Sequence, residues 1–215
     1  MWFTDNTSIQ EALWRRYATK KFDPSKKISS KDMQTLKESL RLSPSSFWLQ
    51  PRKFVIVTDQ DKKNALVEHS RWQKQVADCD ALFVLCSLTT VDETHIQKYI
   101  DSIVATRWIS EESLAGYKDM MIWSLKNRSE EEKKERMDKQ LYIALWFLME
   151  TAGLLQIDTC PMEWFIPAKY DEILGLEKHW LRSVVVCPVW YRDHSDSYED
   201  KDKVRFTQED MFITI

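Results

Sequence analysis

Few folds can accommodate the stretch from Ser124 to Leu155. Its first part, Ser124 to Lys139, is dense in Glu and Lys and holds no turn signal. It reads as the exposed start of a long helix, supported by pairs such as Glu130–Lys134. From Leu141 to Leu155, LYIALWFLMETAGLL, apolar residues surround most of the helix circumference. Such a helix needs partners on nearly every side, so it belongs at the centre of a domain or in a subunit interface. The rest of the chain must wrap around it.

The wrapping elements read as a mixture of helices and strands. Ile9, Leu13 and Tyr17 fall at helical spacing with Ser8 as an N-cap, predicting a first helix that ends near Ala18. Ser29 or Ser30 caps a second helix that continues through Met33, Leu36 and Leu40. Ser43 to Val57, SPSSFWLQPRKFVIV, reads as helix end, structured loop and buried strand, with Phe54–Val57 as the strand. Ala81–Leu85 and Ser183–Val189 are unbroken apolar runs and read as further strands. Further helices are expected around Ala65, from Asp92 to Ile109 and near Lys169–Leu174, the last closed by Gly175. Phe212–Ile215 reads as a terminal strand in need of a partner sheet. Helices interspersed with three main strands, without a repeat, describe a single α+β domain over 1–215.

Composition narrows the function classes. A formal net charge of −3 gives no support for a nucleic-acid partner. The N-terminus lacks a basic region and apolar core, and no apolar run approaches the ~18 residues of a membrane span. The expectation is a soluble, cytoplasmic protein with no membrane partner. Cys79, Cys86, Cys160 and Cys187 are widely spaced and form no CxxC, so buried free thiols are expected. Glycine is scarce: three residues, against ten tryptophans, where a usual share of ~7% Gly would give about fifteen.

The familiar nucleotide, zinc and nucleophile-elbow motifs are missing. His69, His95, His179 and His194 have no ligand-like spacing, so no metal site is expected. Three pieces remain. They are the basic group Arg15-Arg16-Tyr17-Ala18-Thr19-Lys20-Lys21, the Ser/Pro loop at 43–51, and Lys203-Val204-Arg205. If folding joins the first and third, Arg16, Lys203 and Arg205 supply three cations, enough for a phosphate ester. Alternatively the basic group is a solvated face and the loop an ordinary helix-to-strand connection.

In this order the pieces resemble the FMN-dependent nitroreductase family. Arg16-Tyr17-Ala18-Thr19-Lys20-Lys21-Phe22-Asp23 is similar to its R-x-S/A-x-K-x-F-D motif. Ser43-Pro44-Ser45-Ser46 with Gln50-Pro51 resembles its PSS-x-x-x-QP loop. Asp158-Thr159-Cys160-Pro161-Met162-Glu163 resembles D-x-x-P-x-E-G, and Lys203-Val204-Arg205 its terminal K-x-R. The resemblance implies a nitroreductase-like sandwich, a central mixed sheet flanked by helices, in an intertwined homodimer with FMN at the interface. It implies an NAD(P)H-dependent flavin oxidoreductase. NAD(P)H passes a hydride to FMN, and a nitroaromatic, quinone or similar small-molecule acceptor then takes the electrons in a ping-pong cycle. By resemblance, Arg16, Lys203 and Arg205 hold the FMN phosphate and Lys20 approaches the ring's pyrimidine edge. Tyr17, Ala18, Pro44, Ser45, Ser46, Trp72, Pro161, Met162 and Trp164 border the cofactor, and the Glu163 backbone lies near flavin N5. No side chain is expected to act as a catalytic residue, because the flavin carries the chemistry.

The departures from the family pattern cluster on tryptophan. Trp164 stands where the loop has Gly, Trp72 where an Asn is common, and Trp48 at a position often held by a small residue. Trp108, Trp123, Trp146, Trp180 and Trp190 fall where small residues, mostly Gly, are expected. Asp80 replaces a usual Ser, and Arg52 a usual Trp. If Trp164 adopts a glycine-type φ it carries ~1 kcal/mol or more of strain, and Trp146 in a packed helix costs roughly 1–3 kcal/mol by overpacking. A second reading follows, a nitroreductase-fold protein, natural or engineered, whose flavin pocket is filled by Trp side chains. A flavin-dependent dehalogenase or ring-cleaving relative on the same fold is a third.

Overall fold

The computed structural model describes residues 5–215, apart from the Trp48 side chain. Along the chain run α1 (Asn6–Arg15), α2 (Ser30–Leu42), β1 (Arg52–Val57), α3 (Gln60–Val67), α4 (Gln75–Asp78) and β2 (Ala81–Leu88). Then follow α5 (Glu93–Arg107), α6 (Ala115–Lys126), α7 (Glu130–Leu154), β3 (Asp158–Thr159), α8 (Pro167–Leu174), β4 (Leu181–Trp190) and α9 (Gln208–Met211). The sheet order is β1-β2-β4-β3, and each pairing is antiparallel. A parallel component enters through the isolated bridge of Ala18 to Thr159.

β2 explains why this sheet forms. Ala81 to Cys86 is fully buried, as are Val186, Cys187 and Val189 opposite it on β4. A strand covered on both faces reads as a continuous apolar run, which is the pattern at ALFVL and VVVC. α7 lies across the sheet and packs against α1 and α2 as well. Its Leu141, Ala144, Leu145 and Leu148 are buried, and each such Leu contributes about 1.5–3 kcal/mol relative to exposure. The opposite stripe of α7 is not covered: Tyr142, Ile143, Phe147 and Trp146 are exposed, Trp146 by 51%. Trp146 therefore points away from the packed face, and the expected overpacking does not arise. A satellite core of Ile96, Ile100, Ile103 and Met121 joins α5 to α6.

Several boundaries differ from the sequence expectation. α1 is capped by Asp5, whose carboxylate accepts from Ser8 N at 2.8 Å, and it ends at Arg15 rather than Ala18. The polar stretch after Ser124 is broken: α6 stops at Lys126, and α7 starts behind Ser129. The cause is a capping box. Ser129 Oγ accepts from Glu132 N at 3.2 Å while Glu132 Oε2 accepts from Ser129 N at 2.7 Å. The ion pairs on α7 accordingly run Glu130–Lys133 and Glu135–Lys139, not Glu130–Lys134. Phe212–Ile215 forms no strand and is exposed.

The tryptophan departures have a partly structural address. Trp72, Trp108 and Trp180 have φ of 59°, 57° and 56°, the left-handed region that favours glycine. Trp164 is not among the positive-φ residues, so the strain expected there is absent. All four cysteines are buried and free. Among the described residues no helix is long and apolar enough to cross a membrane.

Candidate functional site

The chain leaves α1 at Arg15 and crosses the end of the sheet, with Thr19 N donating to Thr159 O at 3.3 Å. This places Arg16, Tyr17 and Ala18 beside the loop that follows β3. The carboxy-terminal segment returns to the same place, where Lys203 Nζ donates to Leu13 O at 2.5 Å and also contacts Arg16 O. A groove of about 720 Å³ results, lined by Arg16, Tyr17, Ala18, Pro161, Lys203 and Arg205 among others.

The groove is built on an ion network under its floor. Asp158 is only 2% exposed. Its Oδ1 accepts from Arg192 Nε at 3.0 Å and Arg192 Nη2 at 2.5 Å, and its Oδ2 accepts from Arg15 Nη2 at 3.2 Å. Arg192 also lies 4.5 Å from the Tyr17 ring centroid. Burial, against the opposing effect of Arg192, pushes the Tyr17 phenol up to about 12. Above this neutralised layer, Arg16, Lys203 and Arg205 make no ion pair with a carboxylate among the described residues. Burial, then the charges of Arg16, Arg205 and Arg192, lower the Lys203 pKa. Three cations free of ion pairs, in a groove that Glu199 and Asp202 also line, can hold an organic phosphate.

Pro161 joins this groove to a second cleft of about 480 Å³, lined by Lys20, Gln73, Tyr142, Pro161, Met162, Glu163 and Trp164. Two anchors hold its walls. Met162 N donates to Val186 O at 2.8 Å, fixing the loop to β4. Asp196 Oδ2 accepts from Lys20 N at 2.7 Å and Lys21 N at 3.0 Å. Burial would raise the Asp196 pKa, but the N–H groups of Tyr198, Lys20 and Lys21 bring it below its ordinary value. Lys20 Nζ sits 3.6 Å from Cys160 Sγ. Tyr142 Oη donates to Glu163 Oε1 at 2.5 Å; burial first, then the Glu163 carboxylate, push the phenol pKa up and keep the proton in place. The Glu163 N–H finds no acceptor among the described residues. Trp164 is 72% exposed at the rim, with the Arg71 guanidinium 5.6 Å from its ring.

The fold thus brings together Arg16, Tyr17, Ala18, Lys20, Pro161, Met162, Glu163, Trp164, Lys203 and Arg205. Pro44, Ser45, Ser46 and Trp72 line neither space. Ser46 sits against α7 instead, where its N–H donates to Gln140 Oε1 at 2.7 Å, and the Trp72 side chain is exposed. Sequence reasoning did not single out Arg192, Asp196 or Tyr142. Asp158 stood inside a quoted motif without a role. A buried carboxylate leaves no periodic signature, so only the motif pointed toward it.

Comparison with known proteins places these features in a context. The sequence model of the nitroreductase family matches residues 13–189. A Staphylococcus haemolyticus protein carrying an NAD(P)H nitroreductase name is 36% identical, over 95% of this chain and 98% of its own. A Staphylococcus aureus protein with the same kind of name is 34% identical, over 96% and 95%. Among solved structures, a Bacillus subtilis protein described as a nitroreductase superposes with a TM-score of 0.86 at 18% identity, covering 98% of this chain and all of its own. One from Exiguobacterium sibiricum, solved in complex with FMN, gives 0.81 at 20% identity, covering 100% and 99%.

Proposed function

Because this chain belongs to the nitroreductase family, we propose that it is an FMN-dependent NAD(P)H oxidoreductase reducing nitroaromatics, quinones or similar small acceptors. The observation that carries the reading is the junction at Pro161 of a groove with three cations free of ion pairs and a cleft lined by Lys20 and the Pro161–Trp164 loop. Bound there, FMN would supply two-electron exchange between NAD(P)H and the acceptor.

The chain's own residues have distinct tasks. Arg16, Lys203 and Arg205 neutralise the phosphate, and Asp158 beneath is already taken up by Arg192. Lys20, its backbone tied down by Asp196, sets a positive charge at the cleft, where it favours an anionic reduced ring system. The free Glu163 N–H is a fixed donor in the same wall, and the Tyr142 hydrogen bond restrains the Glu163 side chain.

A homodimer completes the proposal. The accessible surface is 13904 Å², whereas a folded monomer of 25.7 kDa is expected to show about 10,400 Å². Apolar surface open to a partner includes the exposed stripe of α7 and the tail, where Val204, Phe206, Phe212, Ile213 and Ile215 are all more than two-thirds exposed. A second chain would cover these and would bring a Pro44–Ser46 loop to the groove, which a single chain does not do.

Flavin titration of the apoprotein tests the reading: saturable FMN uptake followed by anaerobic bleaching with NADH supports it, and a colourless protein that ignores added FMN sinks it. The second reading, a pocket occupied by Trp, draws on Trp164 lining the cleft. Recovery of FMN binding only in Trp164→Gly would favour it.

A further inference from the structure

The turn that follows α3 presents a guanidinium to the mouth of the cleft. It runs through two successive left-handed residues, Arg71 at φ 51° and Trp72 at φ 59°. Both sides of this turn are tied down. On the core side Ser70 is fully buried, its Oγ donating to Leu66 O at 2.7 Å and lying 2.6 Å from Tyr170 Oη. On the cleft side Gln73 Nε2 donates to Ser70 O at 3.1 Å and to Trp164 O at 3.4 Å, and Ile166 N donates to His69 O at 2.8 Å. These bonds fix the turn to the Pro161–Trp164 loop and set the Arg71 guanidinium carbon 5.6 Å from the Trp164 ring centroid. An indole face against a planar guanidinium limits its orientations.

The Arg71 charge is not used by the protein itself. It has no ion-pair partner among the described residues, and Glu68, three residues before it, faces His69 Nε2 at 3.1 Å instead. Glu163, the one carboxylate among the residues lining the cleft, accepts from Tyr142 at 2.5 Å. Leu145, Met162 and Val185 give the cleft an apolar wall. An apolar wall, an aromatic edge and one unpaired guanidinium at the mouth suit a planar ring that bears an anion. The reach involved is short. Trp164 follows directly on Glu163, whose N–H is the fixed donor of the cleft wall, so a single ring with groups at both ends matches it better than a dinucleotide.

We propose that Arg71 and Trp164 form a specificity clamp that makes the cleft prefer small aromatic acceptors carrying a carboxylate. The anion pairs with Arg71, the ring lies along Trp164, and the reducible group points inward. The inference rests on the proposed flavin reduction for its chemistry, while the clamp itself needs only this chain's residues.

Two acceptors that share a ring and a nitro group test it: 4-nitrobenzoate and the neutral 4-nitrobenzyl alcohol. With the FMN-loaded protein and NADH, kcat/KM should favour the benzoate by roughly fivefold to tenfold at low salt and by less at high salt. Arg71→Gln brings that ratio close to one, and Arg71→Lys, which keeps the charge, retains part of it. Lys74→Gln, on the same exposed turn, changes the ratio less than about twofold. Calorimetric titration of the intact protein with benzoate and benzyl alcohol repeats the comparison without turnover, and Arg71→Gln should again remove the difference. Turnover of the neutral alcohol reports on the flavin reading separately: if it is absent while benzoate is still preferred in the titration, that reading fails and the clamp stands. Equal preference for charged and neutral rings in the parent, or a preference that survives Arg71→Gln, overturns the proposal. So does an Arg71→Gln effect on the NADPH-to-NADH ratio that exceeds its effect on the acceptors, because the anion would then belong to the coenzyme.

Discussion

Trp108 offers a test of how this chain manages with so little glycine. It terminates α5 in the left-handed conformation, φ 57°, with its N–H donating to Val104 O at 3.0 Å, which is the position where helices favour glycine. Its side chain is 92% exposed, so removing it forfeits almost no burial. Placing an L residue in this region costs about 1–2 kcal/mol. Glycine returns part of that through the greater freedom of its unfolded chain, about 0.4–1 kcal/mol. Trp108→Gly is therefore expected to stabilise the fold by about 0.5–1 kcal/mol, a rise in Tm of roughly 1–4 °C for a chain of this size. The matched control is Trp123→Gly. Trp123 is also well exposed, at 66%, but lies inside α6 with ordinary helical backbone. There glycine lowers helix propensity, and the substitution is expected to destabilise by about 0.5 kcal/mol. Urea unfolding of the two variants beside the parent decides the matter. If both lose stability together, backbone strain at Trp108 is not what the structure implies.

Two further outcomes follow from buried chemistry. Asp158→Asn leaves Arg192 and Arg15 without their shared carboxylate, so it should cost about 3–5 kcal/mol in urea unfolding; a loss under 1 kcal/mol would show that water replaces the pair easily. Burial pushes the Cys79 and Cys86 thiols up to about 12 and raises those of Cys160 and Cys187. The native protein should thus leave all four unreacted toward a thiol-disulfide reagent at pH 8 and release all four in guanidinium, and rapid native labelling of any one would contradict its burial.

The features legible in the sequence were those that repeat or travel as motifs. Ala81–Leu85 and Ser183–Val189 announced strands because burial on both faces removes polar alternation. The helix from Leu141 announced its burial, and the exposed Trp146 stripe left open the interface half of that reading. The break at Asn127–Ser129 was harder, because a capping box made of Ser129 and Glu132 looks like ordinary polar helix until the backbone is known. Of the candidate site residues, those on the 15–21, 161–164 and 203–205 segments converge within one chain. Ser45 and Ser46 do not. Ser46 is instead held against α7 by Gln140, a long-range contact that local spacing does not encode. Arg192 and Asp196 act through long-range contacts, to Asp158 and Tyr17 and to the Lys20 and Lys21 backbone, and contacts between distant segments leave no local pattern to read.

The central claim is that Arg16, Lys203 and Arg205 form a phosphate site at the end of a flavin cleft. Comparing FMN with riboflavin, which lacks only the phosphate, isolates that claim. Titrated into the apoprotein, FMN should bind more tightly than riboflavin by at least ~100-fold, since each charge-assisted hydrogen bond is worth about 1.5–3 kcal/mol. Lys203→Gln should reduce that ratio by roughly tenfold or more while leaving riboflavin affinity unchanged. Equal affinities for FMN and riboflavin in the parent protein, or a ratio untouched by Lys203→Gln, would contradict the account.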